Sequence, residues 1–346
     1  MKSYDKELLA AWLKNEENVI SQLQATYKQA LKDIESKLKE LLAREAEGGA
    51  NLQSVIYQRQ YQQALKKQVS AILDALQAEE FQTIADYLVK VYEDGFAGAI
   101  YSIQKQGIPL CFPLDQSQVV QAVQLDSKIS TSLYTRCGEN VAALKKAIAA
   151  EISRGISTNA TYAQIARQLR NHMVGTYGTG TGGAVYRSML IARTEGTRIV
   201  NHAALDACYK AREKGCKVVK EWCAALDART RDSHARLDGE RRELDEKFSN
   251  GLMRPGDPNG KAAEVCNCRC KLLERAKWAL SADETQYLGD VSKMTAKQRE
   301  TISKKLNIPD NELENYSKQI VPIKAKDYAD FKRQYAKIWN YDNGRK

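Results

Sequence analysis

The chain has 346 residues, 43% hydrophobic and 28% charged, with a net charge of +10, the balance of a globular protein of two or three domains. No stretch nears the roughly 18–20 uninterrupted apolar residues of a membrane helix, and Met1 to Ala11 is charged and lacks the apolar core of a secretory signal. Synthesis in a cytoplasm is therefore expected, and eight cysteines in so long a chain do not make a disulfide scaffold. In chain order, the first apolar run takes in Leu8, Leu9, Trp12, Leu13, Ile20, Leu23, Tyr27, Leu31, Ile34, Leu38, Leu41 and Leu42. Most steps are three or four, the helical period. Gly48–Gly49 breaks it, and a second run follows through Leu52, Ile56, Leu65, Val69, Ile72, Leu76, Ile84, Leu88 and Val91. Two such helices predict an antiparallel hairpin. From Gly95 to Pro113 the pattern loosens and predicts a connection. Helices are then expected at Leu114–Leu125, with Asp115 as the cap, at Val141–Ile152 and at Ser157–Met173.

Gly175–Gly183 reads GTYGTGTGG. A phosphate-cradling loop would end in Gly-Lys-Ser/Thr after a buried strand, and both are missing, so a flexible loop is expected. A long helix should run from Ala184 to about Lys214, with Gly215 closing it. After it the character changes. KVVKEWCAA, from Lys217, reads as a first strand, and VCNCRCKL, from Val265, as a second. Between them lie DARTRDSHARLDGE and the turn-forming RPGDP. The expected fold is mainly α: a long N-terminal helical hairpin and helical region, then a small α+β module with short strands. The corresponding divisions are 1–113, a helical linker at 114–188, the α+β module at 189–276 and a basic extension at 277–346.

The charge is uneven. Residues 1–130 carry −3, 131–220 carry +9, 221–284 carry −1 and 285–346 carry +5. Clustered cations suit a polyanion such as packaged DNA through sequence-independent phosphate contact. No base-reading motif accompanies them.

Four pieces follow one another in a fixed order: IARTEGTRIVNHAALDA from Ile191, KEWCAALDARTRDSHARLDGE from Lys220, RPGDP shortly after Phe248, and NCRC from Asn267. This order resembles the Mu protein F-like minor head proteins of tailed phages, over Ile191 to Leu272. The resemblance marks Arg193, Thr194, Glu195, Asn201, Trp222, Asp227, Arg231, His234, Gly239, Phe248, Pro255, Asp257, Pro258, Asn267, Cys268, Arg269 and Cys270 as signature residues with structural roles. It implies a low-copy virion protein, not an enzyme, acting in prohead assembly. Its place would be the capsid interior or portal vertex. Its partners would be the portal and the major capsid or scaffolding protein, with packaged double-stranded DNA touched non-specifically or co-ejected, and no membrane anchor. The alternative is a metal-dependent nuclease or phage-borne effector centred on His234, since Asp227, Asp232 and His234 lie close in sequence.

Arg193 and Glu195 stand two apart on a helix and so reach separate partners, Arg193 a carboxylate such as Asp227 or Asp238. Cys266, Cys268 and Cys270 alternate, which on a strand puts all three on one face. Zinc takes four Cys or His ligands, and Cys223, His234, Cys268 and Cys270 form a conceivable set. A late disulfide from Cys223 to one of the three is another reading. The missing Cys-x-x-Cys knuckle favours thiols buried as small hydrophobes, with no cofactor.

Overall fold

A computed structural model describes residues 1–47, 55–108, 110–122, 130–158, 160–175, 182–277, 291–306, 309–314 and 323–339. The Gly48–Gly49 turn, Pro109 and residues 176–181 of the glycine-rich run lie outside the described residues. The protein is mainly helical with one small sheet. Its helices are α1 (Ser3–Glu47), α2 (Val55–Lys105), α3 (Gln116–Val120), α4 (Ser130–Ser157), α5 (Tyr162–Val174) and α6 (Gly183–Glu213). Strand β1 (Val218–Cys223), short helix α7 (Asp232–Ala235), β2 (Arg241–Arg242), α8 (Ala262–Val265) and β3 (Lys271–Ala276) follow. Helices α9 (Ala296–Leu306) and α10 (Tyr328–Trp339) come last. Contacts divide the chain into two compact units, both discontinuous: 1–15, 88–126 and 193–346 form one, 16–87 and 127–192 the other.

In the second unit the helical period of α1 and α2 becomes packing. Tyr27, Leu31, Ile34 and Leu38 meet Leu65, Val69, Leu73 and Leu76, and α4 and α5 close the cluster with Val141, Leu144, Ile148, Ile165 and Leu169. One polar knot interrupts it. The Tyr27 hydroxyl donates to Glu80 at 2.9 Å and accepts from Asn140 at 2.8 Å, and Arg187 donates to Asn140 at 2.7 Å. Burial raises the Glu80 carboxyl, as expected for an acid taken out of water.

Helix α4 runs to Ser157, and α5 starts only at Tyr162 rather than at Ser157. Thr161 is the reason. It accepts from the Gln164 N–H while the Gln164 side chain accepts from the Thr161 N–H at 2.8 Å, a reciprocal cap that fixes the helix start. At Gly155 a Cβ would stand 2.5 Å from Ile165, so the missing side chain lets α4 and α5 approach.

In the first unit α2 continues through Gly95 and Gly98 to Lys105, where the sequence predicts a connection. Both glycines mark close packing rather than a turn. A Cβ on Gly95 would lie 2.8 Å from the Val200 carbonyl of α6, and one on Gly98 would lie 3.0 Å from Leu8. Asp115 caps α3 as expected, accepting from the Ser117 N–H at 2.9 Å. Gly215, at φ +83°, ends α6. The basic C-terminal stretch supplies core: Tyr328, Phe331 and Tyr335 of α10 are buried, and the Tyr101 ring lies 5.2 Å from Phe331. The Tyr328 hydroxyl donates to the Asp94 carbonyl and that of Tyr335 to the Phe112 carbonyl, each at 2.8 Å.

The sheet has the order β2-β1-β3, antiparallel throughout, with Trp222 opposite Leu272 and Cys223 opposite Lys271. The second strand begins after the cysteines rather than at Val265. Cys266 closes α8, and Asn267 takes the left-handed conformation at φ +55°, which Asn tolerates better than most residues. That kink breaks the extended run. Cys266 is exposed while Cys268 and Cys270 are buried, so the three do not share a face.

Candidate functional site

The site is assembled by one face of α6. Thr194, Thr197 and Asn201 are spaced three and four apart, which stacks them on one side of a helix. Each hydrogen-bonds the backbone of the segment entering β3. The Asn267 N–H donates to the Thr194 hydroxyl at 3.0 Å, and the Thr197 hydroxyl donates to the Cys268 carbonyl at 2.6 Å. The Asn201 amide spans two positions, donating to the Cys270 carbonyl at 3.1 Å and accepting from the Leu272 N–H at 2.7 Å. This polar comb satisfies the backbone of a buried, irregular stretch that no neighbouring strand could pair. It also fixes where the thiols point.

His234 comes from α7 and is almost fully buried, its ring edge-on to Trp222 at 5.2 Å. Trp222 is held in turn against Phe248, also at 5.2 Å. The backbone on both sides of Trp222 is tied down, with Gly239 N–H donating to the Trp222 carbonyl at 2.8 Å and Trp222 N–H donating to Glu240 at 2.9 Å. His234 Nε2 donates to Glu264 at 2.9 Å, while Nδ1 lies 3.6 Å from the Cys268 sulfur and 3.4 Å from that of Cys270. These three ligand atoms fall within 4.8 Å of one another. The hydrogen bond between the two thiols pulls Cys268 down and pushes Cys270 up.

Cys223 does not join them. Directly opposed residues of an antiparallel pair point to one face, so Cys223 shares its side with Lys271, and Trp222 shares the other with Leu272. Cys270 alternates with Lys271 and therefore falls on the Trp222 side. The sheet thus separates Cys223 from the cluster, and all eight cysteines are free thiols.

The remaining signature residues hold loops. Asp227 accepts from the Arg229 N–H at 2.9 Å and from Arg269 at 2.7 Å. Asp238 accepts from the Ala224 N–H at 2.9 Å. Asp227 and Asp238, the carboxylates expected to receive Arg193, hold these turns, and Arg193 itself is half-buried. Arg231 donates to the Cys266 carbonyl at 2.6 Å. Glu195 is buried against Arg198 at 2.8 Å. In the RPGDP turn, Pro255 is buried, Pro258 half-buried, and Asp257 accepts from Met253 and Asn259 N–H groups at 2.8 and 2.9 Å. Gly256, at φ +73°, brings this turn onto α6: a Cβ there would meet Arg198 Cα at 2.9 Å. Sequence reasoning missed Glu264 and Thr197. It also missed the buried Lys220, whose ammonium donates to the Leu244 and Met253 carbonyls at 2.9 Å each and is pushed down to about 8 by burial.

Residues 146–273 match the family model described as Phage Mu protein F like protein. The chain carries a Mu protein F-like region. It begins well upstream of the signature, near the middle of α4, and ends inside β3. Two curated relatives share more. A protein named NAD(+)--arginine ADP-ribosyltransferase EFV, from Enterococcus faecalis, is 29% identical over 79% of this chain and 55% of its own length. Minor head protein GP7 of Bacillus phage SPP1 is 27% identical over 74% of this chain and 83% of its own length. The chain thus spans little more than half of the first relative. No solved structure matches.

Within the Mu F-like region His202 gives a pH dependence. Burial, with Arg254 and Arg198 nearby, pushes its imidazole down to about 3 from 6.5. Asp206 lies 3.4 Å away, but it already accepts from the Tyr92 hydroxyl at 2.6 Å, so desolvation dominates. The unfolded chain gains a proton below pH 6.5 that the folded chain refuses. Stability is therefore full above 6.5 and falls on acidification, by up to about 2 kcal/mol at pH 5. Urea midpoints at pH 7 and 5 should show that loss, and His202→Gln should reduce it.

Proposed function

We propose that this protein is a minor head protein of a tailed phage, acting in prohead assembly rather than in intracellular chemistry. The observation that carries the reading is the Mu F-like region, in which residues of the α6 signature support the thiol segment through the polar comb. The comparison with the two curated relatives points the same way. The match to the protein named as a head protein covers 83% of that protein, and the match to the one named as a transferase covers 55% of it. The region's polar residues serve backbone groups of its own loops, as a scaffold requires.

The portal is the proposed docking partner, with the major capsid or scaffolding protein as its neighbour. The +9 segment at 131–220 and the +5 stretch at 285–346 fit non-specific contact with packaged DNA. A nuclease centred on His234 has less support. Hydrolytic hard-cation sites gather carboxylates, whereas Asp227 is spent on Arg269 and its own turn, and His234 faces two sulfurs.

Fractionation of proheads and virions tests this. The protein is expected in both, at far fewer copies than the major capsid protein, and portal should be captured with it from prohead extracts. Its absence from proheads and virions alike would overturn the reading.

A further inference from the structure

We infer that His234, Cys268 and Cys270 form a zinc site, with the imidazole Nδ1 and two thiolates as ligands, which ties α7 to the segment entering β3. The inference stands independently of the head-protein reading. Its first support is distance. A tetrahedral zinc with Zn–N near 2.0 Å and Zn–S near 2.3 Å holds nitrogen and sulfur about 3.5 Å apart. The two Nδ1···S distances are 3.4 and 3.6 Å.

Second, the imidazole is set up as a ligand. Glu264 is an acceptor, so the ring proton sits on Nε2 and the Nδ1 lone pair faces the sulfurs. A carboxylate behind a histidine is the usual outer partner of a metal-bound imidazole, fixing its tautomer and orientation. Third, two sulfurs lie at contact distance from one Nδ1 lone pair, an arrangement in which a single cation engages all three atoms. Fourth, the comb of Thr197 and Asn201 fixes the carbonyls of both cysteines, which preorganises the thiols.

Thiolate with imidazole selects zinc over the oxygen-seeking magnesium and calcium. Cys223 lies across the sheet and Cys266 is exposed, so the fourth position belongs to a water molecule. The ion joins residues more than 30 apart in sequence within a module of short strands, and chelation should loosen that module.

The test uses the full chain, purified without chelators. Elemental analysis should find about one zinc per chain, and a chelator should lower the melting temperature. Cys268→Ser, Cys270→Ser and His234→Ala should each reduce zinc to below about a tenth of that content, while Cys223→Ser keeps it. If the ligand variants fail to fold, cobalt replaces zinc in the wild-type chain and should show thiolate-to-cobalt charge transfer. Wild-type protein that takes up neither zinc nor cobalt overturns the inference. So does cobalt bound without thiolate bands, or a Cys223→Ser variant that loses metal. An intact mass lower by two hydrogens, marking a disulfide in the purified chain, overturns it as well.

Discussion

Trp222→Ala should destabilise the first unit by about 3–5 kcal/mol, the range for deleting a fully buried large aromatic. Three things disappear at once: the wall behind His234, the edge-on packing against Phe248, and the filling between β1 and the loops over it. The cavity cannot collapse easily, because the Trp222 backbone is held by Gly239 and Glu240 on one side and by β3 on the other. Urea denaturation followed by circular dichroism gives the size of the effect. Limited proteolysis locates it, with new cleavage expected between Gly215 and Lys277 and none within α4 or α5. A change below about 1 kcal/mol would mean that the ring does not carry the packing assigned to it.

Arg275→Ala should cost a comparable 3–5 kcal/mol, by a different route. Its guanidinium grips the Asp5 carboxylate with two hydrogen bonds, at 3.1 and 2.9 Å, and reaches Glu221 at 2.9 Å. Asp5 is fully buried, so removing the cation leaves a charge out of water, with the Lys2 N–H at 3.0 Å and the buried Lys271 as its remaining partners among the described residues. The pH dependence has a definite sign. Burial works against Glu221, but Arg275 and Arg241 outweigh it and hold the carboxyl below its ordinary 4.5. Its contribution is present above pH 4.5 and is lost as pH falls through the lowered value, so wild type and variant should converge on acidification. The double variant Asp5→Leu, Arg275→Met should recover part of the loss, because an apolar pair leaves no charge stranded. Thermal melts of the three chains at pH 7 and pH 4 check both points.

The sequence by itself determined most of the elements and the likeness of one region to Mu protein F. Apolar steps of three and four specify α1 and α2, since a helix with that stripe has one way to bury it, and alternation around Trp222 specifies β1. The order of the four short motifs identified a Mu F-like region. It did not show why those motifs belong together. Thr197 and Asn201 lie about 70 residues from the carbonyls to which they donate, and Glu264 lies 30 from His234. Local periodicity carries no information at such separations, because hydrogen bonds of this kind form only after helix and strand have packed. The cysteines show the same limit. Alternation alone grouped Cys266 with Cys268 and Cys270, but one left-handed residue, Asn267, delays the start of the strand and turns Cys266 outward. Cys223 is near His234 in sequence, yet the pleat of β1 sends it to the other face of the sheet. Which thiols meet the imidazole was decided by strand register and by the comb on α6, and both exist only in the tertiary structure.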